Sequence, residues 1–253
     1  MTVELAPALV TGYLLAMVRA VAWVFVCPPF GNRSVPTIVK VGLAAALTLV
    51  VGPRLADQAV PLEVGPLLSA AVLQVAAGLA LGFLGVLLFA TFAFAGGLID
   101  LASGYSVAQL FDPGTQAPAS IFGQFYAVLA TTLLFAIDGH LLLVRGFLTS
   151  FEAAPLTSLS VDTLAKLLTG DITLFFVAAL EIAAPLLAAL FLSEAAMGLL
   201  SRAAPQMNIF QLGLPVKILV TLSLAGLALP LLPDAVSGIT NQIVRQGLTL
   251  VRG

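Results

Sequence analysis

The chain has 253 residues, of which 60% are hydrophobic and only 9% are charged. Soluble domains carry about 25% charged residues, so this composition predicts an integral membrane or membrane-associated protein. The net charge of -2 offers no basic surface to nucleic acid, and the single cysteine and single histidine exclude an intramolecular disulfide framework and a Cys/His metal cluster. We therefore expect neither a nucleic-acid partner nor a metal or other cofactor.

The first apolar segment runs from Leu5 to Phe30 and ends at the Pro28-Pro29 pair, because proline cannot extend a helix. It is long enough to cross a hydrocarbon core of roughly 30 Å, and the acidic Glu4 before it argues against a cleaved signal peptide. Arg19 lies inside the segment, either as a residue that snorkels to the membrane surface or as a buried interhelical partner. We favour the buried partner, since Arg19 is more than about two turns from Pro28.

A second helix is predicted over about Val35 to Val51, with Lys40 as a flanking charge. The following charge-free run, Val64 to Ile99, would be about 54 Å long as one helix, far more than a bilayer core needs. It either breaks near its glycines at 78, 82 and 85 or is not a simple lipid-facing span. The spacing Gly78-x-x-x-Gly82 allows another helix to approach closely, although alone it is a weak signal.

The segment from Gly96 to Gln124 interrupts two charge-free stretches with acids, amides, glycines and prolines. Irregular backbone at membrane depth survives only where protein or water satisfies its polar groups. The segment is therefore either a re-entrant or pore-lining loop or an ordinary surface hairpin loop. Phenylalanines concentrate around it, and they either close a pore by dewetting or pack in a core. These are Phe92, Phe94, Phe111, Phe122, Phe125 and Phe135.

The helix predicted from Ser120 to Ile137 ends at Asp138-Gly139-His140, where an acid and the sole imidazole are neighbours. This pair is either a proton relay or, as we prefer, a helix-end turn whose side chains bond exposed backbone groups. The polar segment from Glu152 to Asp171 is the predicted boundary between two parts of the fold.

A fifth long helix is predicted from Ile172 to Leu200, kinked at Pro185 because proline removes a backbone hydrogen bond. Glu181 lies beside that opened backbone, so we expect an interhelical hydrogen bond rather than a proton relay. A polar-rich break from Ser201 to Lys217 precedes the last predicted apolar helix, Ile218 to Leu232. No sequence signature supports nucleophilic catalysis, and no glycine is followed by lysine as in a nucleotide-binding P-loop, so an enzyme is not expected.

Four stretches, in order, resemble a known family. They are Pro29-Phe30-Gly31 through Leu43; Asp100, Gly104 and Phe111-Asp112-Pro113; Phe135, Asp138-Gly139-His140, Ser150-Phe151 and Pro155; and Ser201-Arg202, Pro205-Gln206-Met207-Asn208, Phe210, Gly213 and Pro215-Val216-Lys217. Together they resemble the FliR family of the flagellar type III protein-export gate and its virulence-secretion relatives. The Arg-x-x-Pro-Gln-x-Asn run is the most specific. Leu156 departs from the family pattern, which favours a small residue there, and this concerns only local turn geometry.

The resemblance implies an all-α membrane protein of tilted helical hairpins, with a FliP-like part over 1–165 and a FliQ-like hairpin and tail over 166–253 in one integrated unit. It implies a place in the bacterial inner membrane, in the flagellar basal body, beside about five copies of FliP, several of FliQ, FlhB and membrane lipid. Unfolded export substrates would pass the central channel, and the loop matching Gly104 to Phe122 would plug it. The residues expected in this plug loop are Gly104, Gln109, Phe111, Asp112, Pro113, Gly114 and Phe122.

Assembly or interhelical contacts are expected of a second set of residues, mostly polar side chains within or between apolar helices, which can bind neighbouring backbone. They are Arg19, Lys40, Asp138, His140, Glu181, Arg202, Pro205, Gln206, Asn208 and Lys217. The function expected is that of a non-enzymatic export-gate subunit, driven by an associated ATPase and the proton motive force. The alternatives are the equivalent virulence subunit and a secondary transporter for a small solute, against which stand the lack of an internal repeat and the few midplane charges.

Overall fold

A computed structural model describes residues 7–55, 63–105, 120–153, 156, 161–206 and 209–252. Within these ranges the regular structure is entirely helical, which confirms the predicted all-α class. Two short 3₁₀ segments, Gly52–Leu55 and Leu229–Leu231, accompany the α-helices. The α-helices are α1 Pro7–Val26, α2 Thr37–Val51, α3 Val64–Ser103, α4 Ile121–Ala136, α5 Gly139–Ala153, α6 Val161–Ala203, α7 Ile209–Ala228 and α8 Leu232–Arg252.

Four stretches of the described helices are long and apolar enough to cross a membrane: Leu9–Val26, Val64–Ser103, Ile172–Ala203 and Leu212–Arg245. The pair α4 and α5 would add a fifth if it counts as one broken span. The predicted membrane class is thereby confirmed. At 40 and 43 residues, α3 and α6 would measure roughly 60 and 65 Å, about twice the thickness of a bilayer core.

Helix α3 is continuous, which excludes the first of the two alternatives for this run, a break near its glycines, and leaves the second, a helix that is not a simple lipid-facing span. The glycines instead lie against α1. A Cβ added at Gly78 would stand 2.7 Å from the Cβ of Ala22, and one at Gly82 would stand 2.9 Å from the Cβ of Val26. Only a residue without a side chain allows this approach, so the Gly78-x-x-x-Gly82 spacing serves as a helix–helix contact.

Two helix boundaries in the carboxy-terminal half differ from the prediction. Helix α6 already begins at Val161, inside the segment predicted as a polar boundary, and continues through Pro185 to Ala203. Helix α7 begins at Ile209 rather than Ile218 and contains Pro215, so much of the predicted polar break is helical.

The described residues form two compact units, one from 1–88, 138–173 and 240–253 and the other from 89–137 and 174–239. Helices α3, α6 and α8 contribute to both units. In the first unit, the core is built from one face each of α1, α2, α3 and α5, with Trp23 stacked on Phe147 at a centroid distance of 4.6 Å. The FliP-like part over 1–165 and the FliQ-like part over 166–253 are consecutive in the chain and so differ from these two units. That division stays a prediction.

Candidate functional site at the base of the central loop

The loop between α3 and α4 is described only at its two ends. The chain leaves α3 at Ser103, is described to Tyr105 and is described again from Ser120. Two of the expected plug residues, Gly104 and Phe122, lie in the described part. Outside the described residues lie Gln109, Phe111, Asp112, Pro113 and Gly114.

Gly104 ends the described helix in the left-handed region, with a φ of +85°. Glycine adopts this conformation without strain, which lets the chain turn out of α3 directly after Ser103. A side chain at position 104 would be strained by its backbone and would also stand 3.3 Å from Leu214 Cδ1.

Asp100 joins the end of α3 to the beginning of α4. Its carboxylate is buried, with 2% exposure, and its Oδ2 accepts hydrogen bonds from Ser120 Oγ at 2.5 Å and from the Phe122 amide at 3.0 Å. The Gly123 amide lies 3.4 Å from the same oxygen and also donates to Ser120 Oγ at 2.8 Å. Ser120 is therefore the N-cap of α4 and Asp100 supplies a second, charged acceptor, which the positive end of the helix dipole favours.

The backbones of α3 and α4 touch beside this carboxylate. A Cβ at Gly96 would lie 2.6 Å from the Gly123 nitrogen, and a Cβ at Gly123 would lie 2.9 Å from the carbonyl oxygen of Ala93. Both glycines are needed for the Asp100 side chain to reach the first turn of α4. We call the set Gly96, Asp100, Ser120, Phe122 and Gly123 the loop base.

Aromatic side chains line the loop base. The ring of Tyr105 meets the ring of Phe122 edge to face at a centroid distance of 5.6 Å, and Phe122 also contacts Phe125 and Tyr126. The two described ends of the loop are thus in contact through side chains as well as through Asp100. Next to them lies a mainly apolar cavity of about 370 Å³, lined by Tyr105, Ile121, Phe122, Phe125, Leu222, Ala225, Gly226 and Leu229.

Arg19 lies elsewhere, in the first unit, as a fully buried partner of several helices. Its Nε donates to Gln74 Oε1 at 2.5 Å, and one terminal nitrogen donates to the carbonyl oxygen of Ser150 at 3.2 Å. Its guanidinium carbon stands 4.2 Å from the centre of the Phe151 ring. Gln74 Nε2 in turn donates to the carbonyl oxygen of Leu156 at 3.0 Å, so one side-chain pair ties α1, α3 and α5 to residue 156.

Lys40 and the Asp138-Gly139-His140 turn also lie in the first unit. Lys40 is buried and its Nζ donates to the carbonyl oxygen of Gly31 at 2.8 Å, which fastens α2 to the preceding turn. Asp138 is exposed and has a φ of +55°, and its carbonyl oxygen accepts the Leu141 amide at 3.0 Å. This is the geometry of a turn between two helices. His140 is half-buried in the first turn of α5.

The remaining expected assembly residues lie on α6 and α7 or between them. Lys217 Nζ forms an ion pair with Glu194 Oε1 at 3.1 Å. Glu181 is exposed, and its expected interhelical hydrogen bond is not formed within the described part of the chain. Arg202 is exposed in the last turn of α6, and Pro205 and Gln206 are exposed just after that helix, whereas Asn208 lies outside the described residues.

Four residues that build these contacts were not singled out from the sequence as site residues: Gln74, Asp100, Ser120 and Glu194. Asp100 and Glu194 carried a signal, because an acid in an apolar helix is rare and usually paired. Ser120 carried the signal of an N-cap immediately before an apolar run. Among the described residues, no group of three or more His, Cys, Asp or Glu side chains is arranged to hold a metal ion.

The helices and the loop base define an all-α membrane protein in which buried polar side chains join neighbouring apolar helices. A family model described as "Bacterial export proteins, family 1" matches residues 10–243, and the chain belongs to this family. The resemblance to the FliR family noted from the sequence motifs is thereby confirmed.

Curated relatives of two kinds match most of the chain. The flagellar biosynthetic protein FliR of Escherichia coli strain K12 is 34% identical over 221 residues, covering 87% of this chain and 85% of the relative. FliR of Bacillus subtilis strain 168 is 30% identical over 224 residues, with the same coverage. The Yop proteins translocation protein T of Yersinia pestis is 26% identical over 210 residues, covering 81% of this chain and 80% of the relative.

Proposed function

We propose that this chain is a non-enzymatic core subunit of the flagellar type III protein-export gate in the bacterial inner membrane. With FliP and FliQ it would form the channel through which unfolded substrates pass, and FlhB would contact the assembled core. Family membership supports an export role, and the candidate membrane-spanning helices support a place in the membrane. The higher identity to flagellar relatives, 30% and 34% against 26%, favours the flagellar system over a virulence system.

The observation that carries the proposed gating role is the loop base. Residues 106–119 connect two apolar helices whose ends Asp100 and Ser120 hold together at the hydrogen-bond distance of 2.5 Å. A loop whose ends are fixed by a rigid scaffold is a common way to present a functional segment. We propose that this segment, with Gly104 and Phe122 at its ends, is the plug that helps to seal the channel.

The exposed surface of α6 and α7 supports assembly with other subunits. Large apolar side chains stand exposed along both helices, among them Phe191 at 71% and Leu219 at 68%. Large apolar side chains exposed in this number require lipid or protein to cover them. We propose that Arg202, Pro205, Gln206 and Asn208, which in the sequence lie at the end of α6 and between α6 and α7, bind neighbouring subunits.

Deletion of residues 109–117 tests the gating role. In cells where the variant replaces the native protein, we expect co-purification with FliP and FliQ as for the wild type, together with raised permeability to ions and small dyes. A matched control replaces the same nine positions by glycine and serine, which keeps the length of the loop and removes its apolar side chains. Leakage at the wild-type level in the deletion variant would refute the plug.

Assembly is tested separately by alanine at Arg202, Gln206 and Asn208 together. We expect less FliP and FliQ to co-purify, because Arg202 in the last turn of α6 and Gln206 just after it are exposed, where they can bond neighbouring backbone. Normal co-purification and normal motility of the triple variant would contradict this assignment.

A further inference from the structure

We infer that Glu181 forms an ion pair with an arginine or lysine on a membrane-spanning helix of a different, neighbouring subunit. The inference rests on the proposed function, since it needs other subunits beside α6. It goes further by naming the residue of contact, the charge of the partner and the helix face that receives it. Glu181 is exposed and makes no hydrogen bond or ion pair within the described part of the chain.

Glu181 is an isolated charge near the middle of a candidate span. It is the only charged residue between Asp171 and Glu194. The stretch 172–193 measures about 33 Å as a helix, close to the thickness of a bilayer core, and it lies within the candidate span Ile172–Ala203. Both ends of this stretch are about 14 Å or more from Glu181 along the helix. That is farther than its side chain reaches, so the carboxylate cannot snorkel to the membrane surface.

The face of α6 around Glu181 is apolar and uncovered. Val177 and Pro185, one turn before and after it, are exposed, and so are Ala184 and Ala188 on the same face. The alanines leave room for the backbone of a second helix to approach. A single carboxylate in these surroundings is costly in lipid, whereas a cation carried by a protein helix stabilises it. Charge complementarity therefore favours protein over lipid as the cover of this face.

The compact unit that contains Glu181 does not supply the cation. Of the residues in 89–137 and 174–239, only Arg202 and Lys217 are basic. Arg202 lies about 32 Å from Glu181 along α6. Lys217 pairs with Glu194, which lies about 20 Å from Glu181 along the same helix. Since no described cation of the rest of the chain pairs with Glu181 either, the cation is assigned to another subunit.

Pro185 adds a second acceptor at the same place. Proline has no amide proton, so the carbonyl oxygen of Glu181 lacks the donor that position 185 supplies in a regular helix. Neighbouring helices commonly satisfy backbone groups that a proline frees in a membrane helix. Arginine and lysine each carry several N–H donors, so one side chain can serve both the carboxylate and the carbonyl oxygen of Glu181.

Incorporation in competition measures the contact. Cells co-express a wild-type chain and a variant with different tags, and the ratio of the two in the complex, purified through another subunit, is divided by their ratio in the membrane. For Glu181→Gln, which keeps the shape and loses the charge, we expect incorporation about three- to twentyfold lower, the range for side-chain bonds between membrane helices. Glu181→Lys brings like charges together and lowers it further. Division by the membrane ratio removes any effect on folding or insertion.

Cross-linking identifies the partner. A photoreactive benzophenone amino acid replaces Val177, one turn from Glu181, and the product formed in the assembled complex is sequenced by mass spectrometry. We expect a helix of a different subunit with an arginine or lysine within about one turn of the cross-linked residue. Replacing that cation by glutamate should restore the incorporation of Glu181→Lys, because the exchanged pair again has opposite charges.

Glu63 is the matched control, an exposed acid directly before α3. Glu63→Gln and Glu63→Lys should be incorporated as well as the wild type. If they are incorporated as poorly as the variants at position 181, the effect is one of overall charge and the inference is wrong. Wild-type incorporation of Glu181→Lys also overturns it, as do cross-links to lipid alone or to a second copy of this chain, and failure of the exchanged charges to restore incorporation.

The outcomes separate this inference from the proposed function. Normal co-purification of FliP and FliQ, together with wild-type incorporation of Glu181→Lys, overturns only the ion pair. A cross-linked cationic helix that belongs to neither FliP nor FliQ supports the ion pair and contradicts the proposed partners.

Discussion

The buried Arg19 offers a severe test of how polar groups stabilise this helix bundle. Replacing Arg19 by alanine leaves two buried acceptors without the donors they now have, Gln74 Oε1 and the carbonyl oxygen of Ser150. Each buried group left unsatisfied costs about 1–3 kcal/mol. The lost contact of the guanidinium with the Phe151 ring adds about 0.5–2 kcal/mol. We expect Arg19→Ala to lower the free energy of unfolding by about 2.5–8 kcal/mol, the sum of these terms.

The measurement is a denaturant titration of the purified protein in detergent micelles, followed by helical circular dichroism. Arg33, exposed in the turn between α1 and α2, is the matched control, and Arg33→Ala should change the free energy of unfolding by less than about 0.5 kcal/mol. Arg19→Gln keeps one donor and should recover part of the loss. A destabilisation by Arg19→Ala of less than about 1 kcal/mol would refute the reasoning, since the acceptors would then have found other donors.

Further predictions follow from close contacts, burial and charge. Gly82→Leu should lower the free energy of unfolding by at least about 1–3 kcal/mol, because α1 leaves no room for a side chain there. Gly42 lies in an open position on α2, so Gly42→Ala should raise the free energy of unfolding by about 0.5–1 kcal/mol. The same denaturant titration measures both variants. Cys27 is fully buried, so maleimide should label its thiol slowly in the folded protein and quickly after unfolding; fast labelling of the folded protein would contradict the burial. A double-mutant cycle on Lys217 and Glu194, which join α6 and α7 across 3.1 Å, should give a coupling of about 0.6–1.7 kcal/mol, as for other side-chain bonds between membrane helices, and no measurable coupling would contradict the ion pair.

Composition and hydrophobic runs were sufficient to predict the class of fold and the positions of the first three long helices. They failed where polar residues lie inside helices. Asp162 and Lys166 suggested a link, although both residue types are tolerated in a helix, and α6 begins before them at Val161. Pro215 suggested a break, although it falls in the second turn of α7, where neighbouring groups can satisfy the backbone it disturbs.

The loop base shows a second limit of sequence reasoning. Asp100 is visible as an isolated acid in an apolar stretch, and Ser120 is visible as a helix cap. Their hydrogen bond joins residues separated by 20 positions across a loop, and it depends on how closely two helices approach. That approach is set by the small residues Gly96 and Gly123, whose contact with each other is a property of packing rather than of either segment alone.

The two polar clusters of α3 follow one physical rule. Lipid gives apolar helices little reason to associate, so helix pairs in membranes rely on close backbone approach and on hydrogen bonds between side chains. Helix α3 meets α1 at Gly78 with Gln74 bonded to Arg19, and it meets α4 at Gly96 with Asp100 bonded to Ser120. In each case the glycine and the polar residue lie four positions apart on one face, so the close approach places the donor and acceptor within reach. Regular helix is therefore required over each of these four-residue spacings, because a break within one of them would uncouple the glycine from the hydrogen bond that it makes possible.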